Sequence, residues 1–129
     1  MIIDTSAIAA ILFSEPDRFA YEAAIAGAAG CSLSAVTRVE AALVIEGRKG
    51  ELGRAALERF LDVSGAQIAA VTADQARIAI DAFRRYGKGR HPAGLNLGDC
   101  FAYALARALG QPLLFKGDDF RQTDIEPAL

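Results

Sequence analysis

A chain of 129 residues holds enough material for one hydrophobic core and too little for two independent ones, so a single domain spanning 1–129 is expected. Hydrophobic residues make up 53% of it, much of that alanine, but charges or glycines interrupt every apolar run, which excludes the roughly 20-residue stretch that a membrane-spanning helix needs. The net charge of -2 gives no global attraction to nucleic acid, so phosphate contact has to come from local basic groups.

The chain opens on Met1-Ile2-Ile3-Asp4, which reads as a short buried strand, with Thr5-Ser6 as the cap of a helix from Ala7 to Phe13. This start lacks the basic and apolar regions of a secretion signal, and a cytoplasmic location is expected. Ser14-Glu15-Pro16-Asp17 forms a turn, and a second helix runs from about Asp17 to Ala29, closed by Gly30. Cys31-Ser32-Leu33 is a second strand. Ser34 or Thr37 then caps a helix to about Lys49, with Val36, Val39 and Leu43 on its inward stripe and Glu40 at the margin. Glu51 to Val63 is a further helix. Gln67 to Val71 reads as a third, buried strand, and Thr72 caps the helix ending near Tyr86.

Gly87 to Gly98 carries four glycines and a proline and reads as a loop. A helix follows from Gly98 or Asp99 to Leu109, then a strand at Pro112 to Phe115, and Asp124 to Glu126 is a candidate fifth strand. Strands alternating with helices give right-handed βαβ units, hence an α/β fold with a parallel sheet of four to five strands covered on both faces. Cys31 and Cys100 have neither metal-ligand nor disulfide spacing and read as buried thiols.

Ligands in such sheets bind beyond the carboxyl ends of the strands. Asp4 and Asp118 follow strands at that rim, while Glu40 and Asp99 stand in early turns of helices that start from it. Alone, each acid reads as a solvated turn residue or a helix cap. Four at one end of a sheet repel one another unless a cation compensates them. Hard oxygen donors without His or Cys pairs select Mg²⁺ or Mn²⁺, and such an ion activates water and neutralises charge on a phosphodiester. Arg84, Arg85, Lys88 and Arg90 precede the Asp99 helix and are candidate phosphate contacts, as is Arg38 near Glu40. His91, the only histidine, precedes Pro92 in the loop and reads as a surface residue.

Four segments together, Ile2-Ile3-Asp4-Thr5-Ser6-Ala7, Ser34-Ala35-Val36-Thr37-Arg38-Val39-Glu40, Leu95-Asn96-Leu97-Gly98-Asp99-Cys100-Phe101-Ala102 and Leu113-Leu114-Phe115-Lys116-Gly117-Asp118-Asp119-Phe120, resemble the PIN domains, and most of all the VapC-type ribonuclease toxins of bacterial toxin–antitoxin pairs. The resemblance implies a three-layer α/β/α PIN-like fold and Mg²⁺- or Mn²⁺-dependent endonucleolytic cleavage of RNA. It also implies inhibition by a small VapB-like antitoxin and a homodimer that can enter a larger assembly. Asp4, Glu40, Asp99 and Asp118 match the acidic, metal-holding catalytic positions, and Ser6 matches a hydroxyl supporting the first Asp. Many relatives have Asn followed by Asp where this chain has Asp118-Asp119, so Asp119 competes for the fourth position or orients its neighbour. The alternative function is a catalytically inert PIN-like binding module that keeps the acids for a cation or a partner's arginines.

Overall fold

The computed structural model describes residues 1–129. Four short strands, β1 (Ile2–Ile3), β2 (Ser32–Ser34), β3 (Gln67–Ala69) and β4 (Leu113–Leu114), form one parallel sheet in the order β3-β2-β1-β4. Five helices cover it: α1 (Thr5–Leu12), α2 (Arg18–Gly27), α3 (Ala35–Ser64), α4 (Ala73–Tyr86) and α5 (Leu97–Leu109), followed by a 3₁₀ turn at Phe120–Gln122.

Consecutive strand residues point to opposite faces, so each two-residue strand feeds both cores. Ile2 and Leu113 join Leu95, Tyr103, Leu105 and Phe115 under α4 and α5. Ile3 and Leu114 join Leu33, Ala7, Ile8, Ala41, Ile45 and Leu57 under α1, α2 and α3. Ile2, Ile3, Leu113 and Leu114 have no exposed surface, and each such side chain stabilises the fold by roughly 2 kcal/mol through burial. The central sheet is thus short in length but anchored on both sides.

Four expectations are corrected. The cap of α1 is Asp4 rather than Thr5 or Ser6, because its side chain accepts from Ser6 N. On α3 the inward stripe is Thr37, Ala41 and Ile45, while Val39 and Leu43 are 59% and 70% exposed. Ala41 and Ile45 pack with Ile3, Ala7, Leu33 and Leu114, and this contact selects their face. β3 is an exposed edge strand, with Ile68 half uncovered, since only β2 pairs with it. The fifth strand reduces to a single parallel bridge between Leu113 and Pro127.

The helices expected on either side of Lys49 are one element with a break at Gly50, whose φ of 58° and ψ of -142° are not helical. The cap at Thr72 stands as read, accepting from Gln75 N at 3.1 Å. Both cysteines are buried and free. No helix is long and apolar enough to cross a membrane.

Candidate active site

Asp4 follows β1 directly, and its backbone N donates to Leu114 O at 2.9 Å, which ties the acid to β4. Its side chain is only 3% exposed. Oδ2 accepts from Ser6 N at 2.9 Å and from Ser6 Oγ at 2.5 Å, and Ser6 Oγ in turn accepts from Lys116 N at 2.9 Å, just beyond β4. Oδ1 is buried with no partner at all. An unpaired carboxylate oxygen away from water is costly, so something absent from the chain itself must compensate it when the group is ionised. Burial is the main reason that Asp4 holds its proton more tightly than an ordinary aspartate, and repulsion from Glu40 acts in the same direction.

Asp99 lies in the first turn of α5 as half of a capping box. Its backbone N donates to Asn96 Oδ1 at 2.8 Å, and its Oδ2 accepts from Asn96 N at 2.9 Å. This fixes one oxygen and leaves Oδ1 without an intrachain partner. Partial burial, together with the charges of Asp4, Glu40 and Asp119, pushes its pKa up to about 7. Each of these two aspartates therefore uses one oxygen to cap a helix and keeps the other free.

Glu40, half-buried on α3, completes the group. Its Oε1 accepts from Thr5 Oγ1 at 2.5 Å. At the carboxyl edge of the sheet Asp4 feels the charge of Glu40, and Asp99 feels those of Asp4, Glu40 and Asp119. Asp118 and Asp119 are both exposed in the loop after β4, and the charge of Asp119 is felt at Asp99. No three of these side chains close on a point as a finished metal cage. The donors are nonetheless all hard oxygens, and with the orphaned Asp4 Oδ1 they suit a small divalent ion that keeps part of its water shell.

The basic candidates divide by partner. Arg38 is paired with Glu58 further along α3, and Arg85 bonds Asp124 at 3.3 Å and lies near Asp81. Arg84, Lys88 and Arg90 have no carboxylate partner; Arg84 and Arg90 rim a cleft between α4 and the start of α5, where Arg90 lies 5.5 Å from the centre of the Phe83 ring. His91 accepts from Ala93 N through Nδ1 and packs edge-on against Tyr86, as a loop-ordering residue would.

Two contributors went unread in the sequence. Lys116 ties the mouth together: its Nζ reaches Asp17 at 2.8 Å and also Glu15, clamping the α1–α2 turn to the loop after β4. Tyr103 donates to Asp124 Oδ1 at 2.6 Å and fastens the final segment to α5. Neither has a local signal, since both partners lie far away in sequence.

The PIN domain family profile matches residues 1–126. The chain is 54% identical over 125 residues to a Ribonuclease VapC from Mycolicibacterium smegmatis, covering 97% of each, and 53% identical to Ribonuclease VapC30 of Mycobacterium tuberculosis, covering 97% and 95%. Ribonuclease VapC42 of the same species is 48% identical over 130 residues, covering 99% and 98%. Among solved structures, Mycobacterium tuberculosis VapC20, described as a Sarcin-Ricin loop cleaving toxin, superposes with a TM-score of 0.78 at 17% identity over 96% of this chain and 95% of that one. A toxin-antitoxin complex from Klebsiella pneumoniae gives 0.66 at 22% identity over 95% and 92%. These last two speak to the fold, and the sequence matches to the lineage: the chain belongs to the PIN-domain family, among its VapC ribonucleases.

Proposed function

We propose that this protein is a divalent-metal-dependent endoribonuclease and the toxin half of a toxin–antitoxin pair. The observation that carries the reading is the half-committed acid cluster: Asp4 and Asp99 each anchor one oxygen in a helix cap, and the buried Oδ1 of Asp4 has no partner. Asp4 and Asp99 are the proposed core ligands of Mg²⁺ or Mn²⁺, with Glu40 beside them and the fourth place divided between Asp118 and Asp119. The charge felt at Asp99 favours Asp119.

When bound, the ion supplies an activated water and neutralises charge on the phosphoryl group. The chain's own part is to hold the acids rigid through Ser6, Asn96 and Thr5, and to offer phosphate the unpaired Arg84, Lys88 and Arg90. Arg38 and Arg85 reach RNA only by leaving their present partners.

Two apolar surfaces support the partners. A groove of about 680 Å³ between α1, α2 and the second half of α3, lined by Ile11, Leu12, Ile25, Phe60 and Val63, suits an apolar antitoxin segment. The uncovered Val39, Leu43 and Leu97, beside the acid site, suit a second copy.

The test is cleavage of a structured RNA pool with Mn²⁺ or Mg²⁺. Chelation is expected to abolish it, and Asp4→Asn or Asp99→Asn to reduce it at least ~10²-fold with the fold retained. Asp119→Asn should cost more than Asp118→Asn. Full cleavage by the Asp4 and Asp99 variants would remove the metal-site account, and Mn²⁺ binding without cleavage of any RNA would make the protein a binding module instead.

A further inference from the structure

Thr5, the first residue of α1, carries a hydroxyl that metal chemistry does not need. It is 7% exposed, and its Oγ1 donates to Glu40 Oε1 across 2.5 Å, joining α1 to α3. The same carboxylate rests against the first turn of α5. A Cβ at Gly98 would fall 2.5 Å from Glu40 Cδ and 2.8 Å from Oε1. Gly98 is not among the glycines with positive φ, so its backbone makes no demand for glycine and the requirement is for space alone.

We infer that Thr5 and Gly98 jointly position the Glu40 carboxylate, Thr5 by a directed hydrogen bond from one side and Gly98 by leaving room on the other. The inference rests on the acid-site reading above and assigns the sequence Asp4-Thr5-Ser6 a double task. Ser6 orients Asp4, and Thr5 orients Glu40, so one turn of backbone presets two carboxylates that approach from different elements. A glutamate has three rotatable side-chain bonds and, on a half-exposed helix face, samples several of its rotamers unless something holds it. Held from two sides, it meets an incoming cation already in place. Thr5 is thus a positioning residue that acts through Glu40.

A buried hydroxyl that merely needs an acceptor would explain the same bond, so the test reads the carboxylate itself. In the metal-free protein carrying ¹³C-labelled glutamate carboxyls, Thr5→Val is expected to shift the Glu40 resonance and bring its side-chain mobility to that of exposed Glu46, while Thr5→Ser restores both. Gly98→Ala should displace Glu40 with little change in Tm, about 2 °C or less, because the displaced atoms end a flexible side chain. Titration calorimetry with Mn²⁺ should then show about 10-fold weaker binding for Thr5→Val and recovery to within about twofold for Thr5→Ser. A Glu40 side chain as ordered in Thr5→Val as in the parent, or no recovery in Thr5→Ser, overturns the inference. If the parent binds no Mn²⁺, the metal reading falls, and the carboxyl resonances alone still decide the role of Thr5.

Discussion

On the proposed function Asp4 and Asp99 are each two things at once, a helix cap and an ion ligand, and the conflict has a measurable signature. Unfolded, Asp99 releases its proton near 3.8; folded without metal, it keeps it up to about pH 7. Between those values the folded chain binds the extra proton, so stability is greatest below the lower value and declines as pH rises toward the upper one. Asp4 shifts in the same direction, whereas Asp124, held low by Tyr103 and Arg85, contributes stability that is lost only at the acid extreme. The metal-free protein is therefore expected to melt about 3–6 °C lower at pH 8 than at pH 5.5, with Asp99→Asn flattening most of the slope and saturating Mn²⁺ at pH 8 restoring the loss. Calorimetric scans across that range check it, and an unchanged slope in Asp99→Asn would show that another group titrates. The placement of these acids was legible from their positions after strands and at helix starts. Their hydrogen-bond commitments were not, because whether Asp4 or Thr5 caps α1 depends on which of them stays extended, as Asp4 does at ψ 157°, and both residue types serve as caps.

Among the elements, α3 shows most clearly where pattern reading stops. Its sequence is apolar on two faces, so helical periodicity alone admits either Val36-Val39-Leu43 or Thr37-Ala41-Ile45 as the inward stripe, and only tertiary contact chooses between them. The exposure of β3 was hidden for a similar reason. A run such as Gln67-Ile68-Ala69 looks alike at the centre and at the edge of a sheet, and strand order is a tertiary fact. The interruption of α3 was legible, because Lys49-Gly50-Glu51 separates two helical stretches. Gly50 stands at φ 58° and ψ -142°, a conformation that side chains with a Cβ resist. Gly50→Ala should accordingly destabilise the protein by about 1–3 kcal/mol in urea unfolding, through strain rather than lost packing, since a Cβ there meets nothing within 4 Å. A neutral result would mean that the break can straighten at no cost.

At the scale of the whole molecule, the three-layer plan followed from alternating strands and helices, but the surfaces it leaves uncovered did not, because Val39 and Leu43 were read as core. Their exposure beside the acid edge leads to a direct expectation. If two copies meet there, Leu43→Asp shifts the sedimentation profile from dimer to monomer and weakens self-association at least ~10-fold, while the melting of each monomer is little altered. A parent protein that sediments as a monomer at every concentration would reserve this face for another partner. The sheet order carries a different consequence. β1 lies between β2 and β4, and Asp4 is tied through its amide and through Ser6 to residues at and just beyond β4. The strand made first thus waits for the strand made last. As the chain is synthesised, Asp4 remains unsupported along one side until residues 114 to 116 have been added, so the acid edge is completed only when nearly the whole chain has been made.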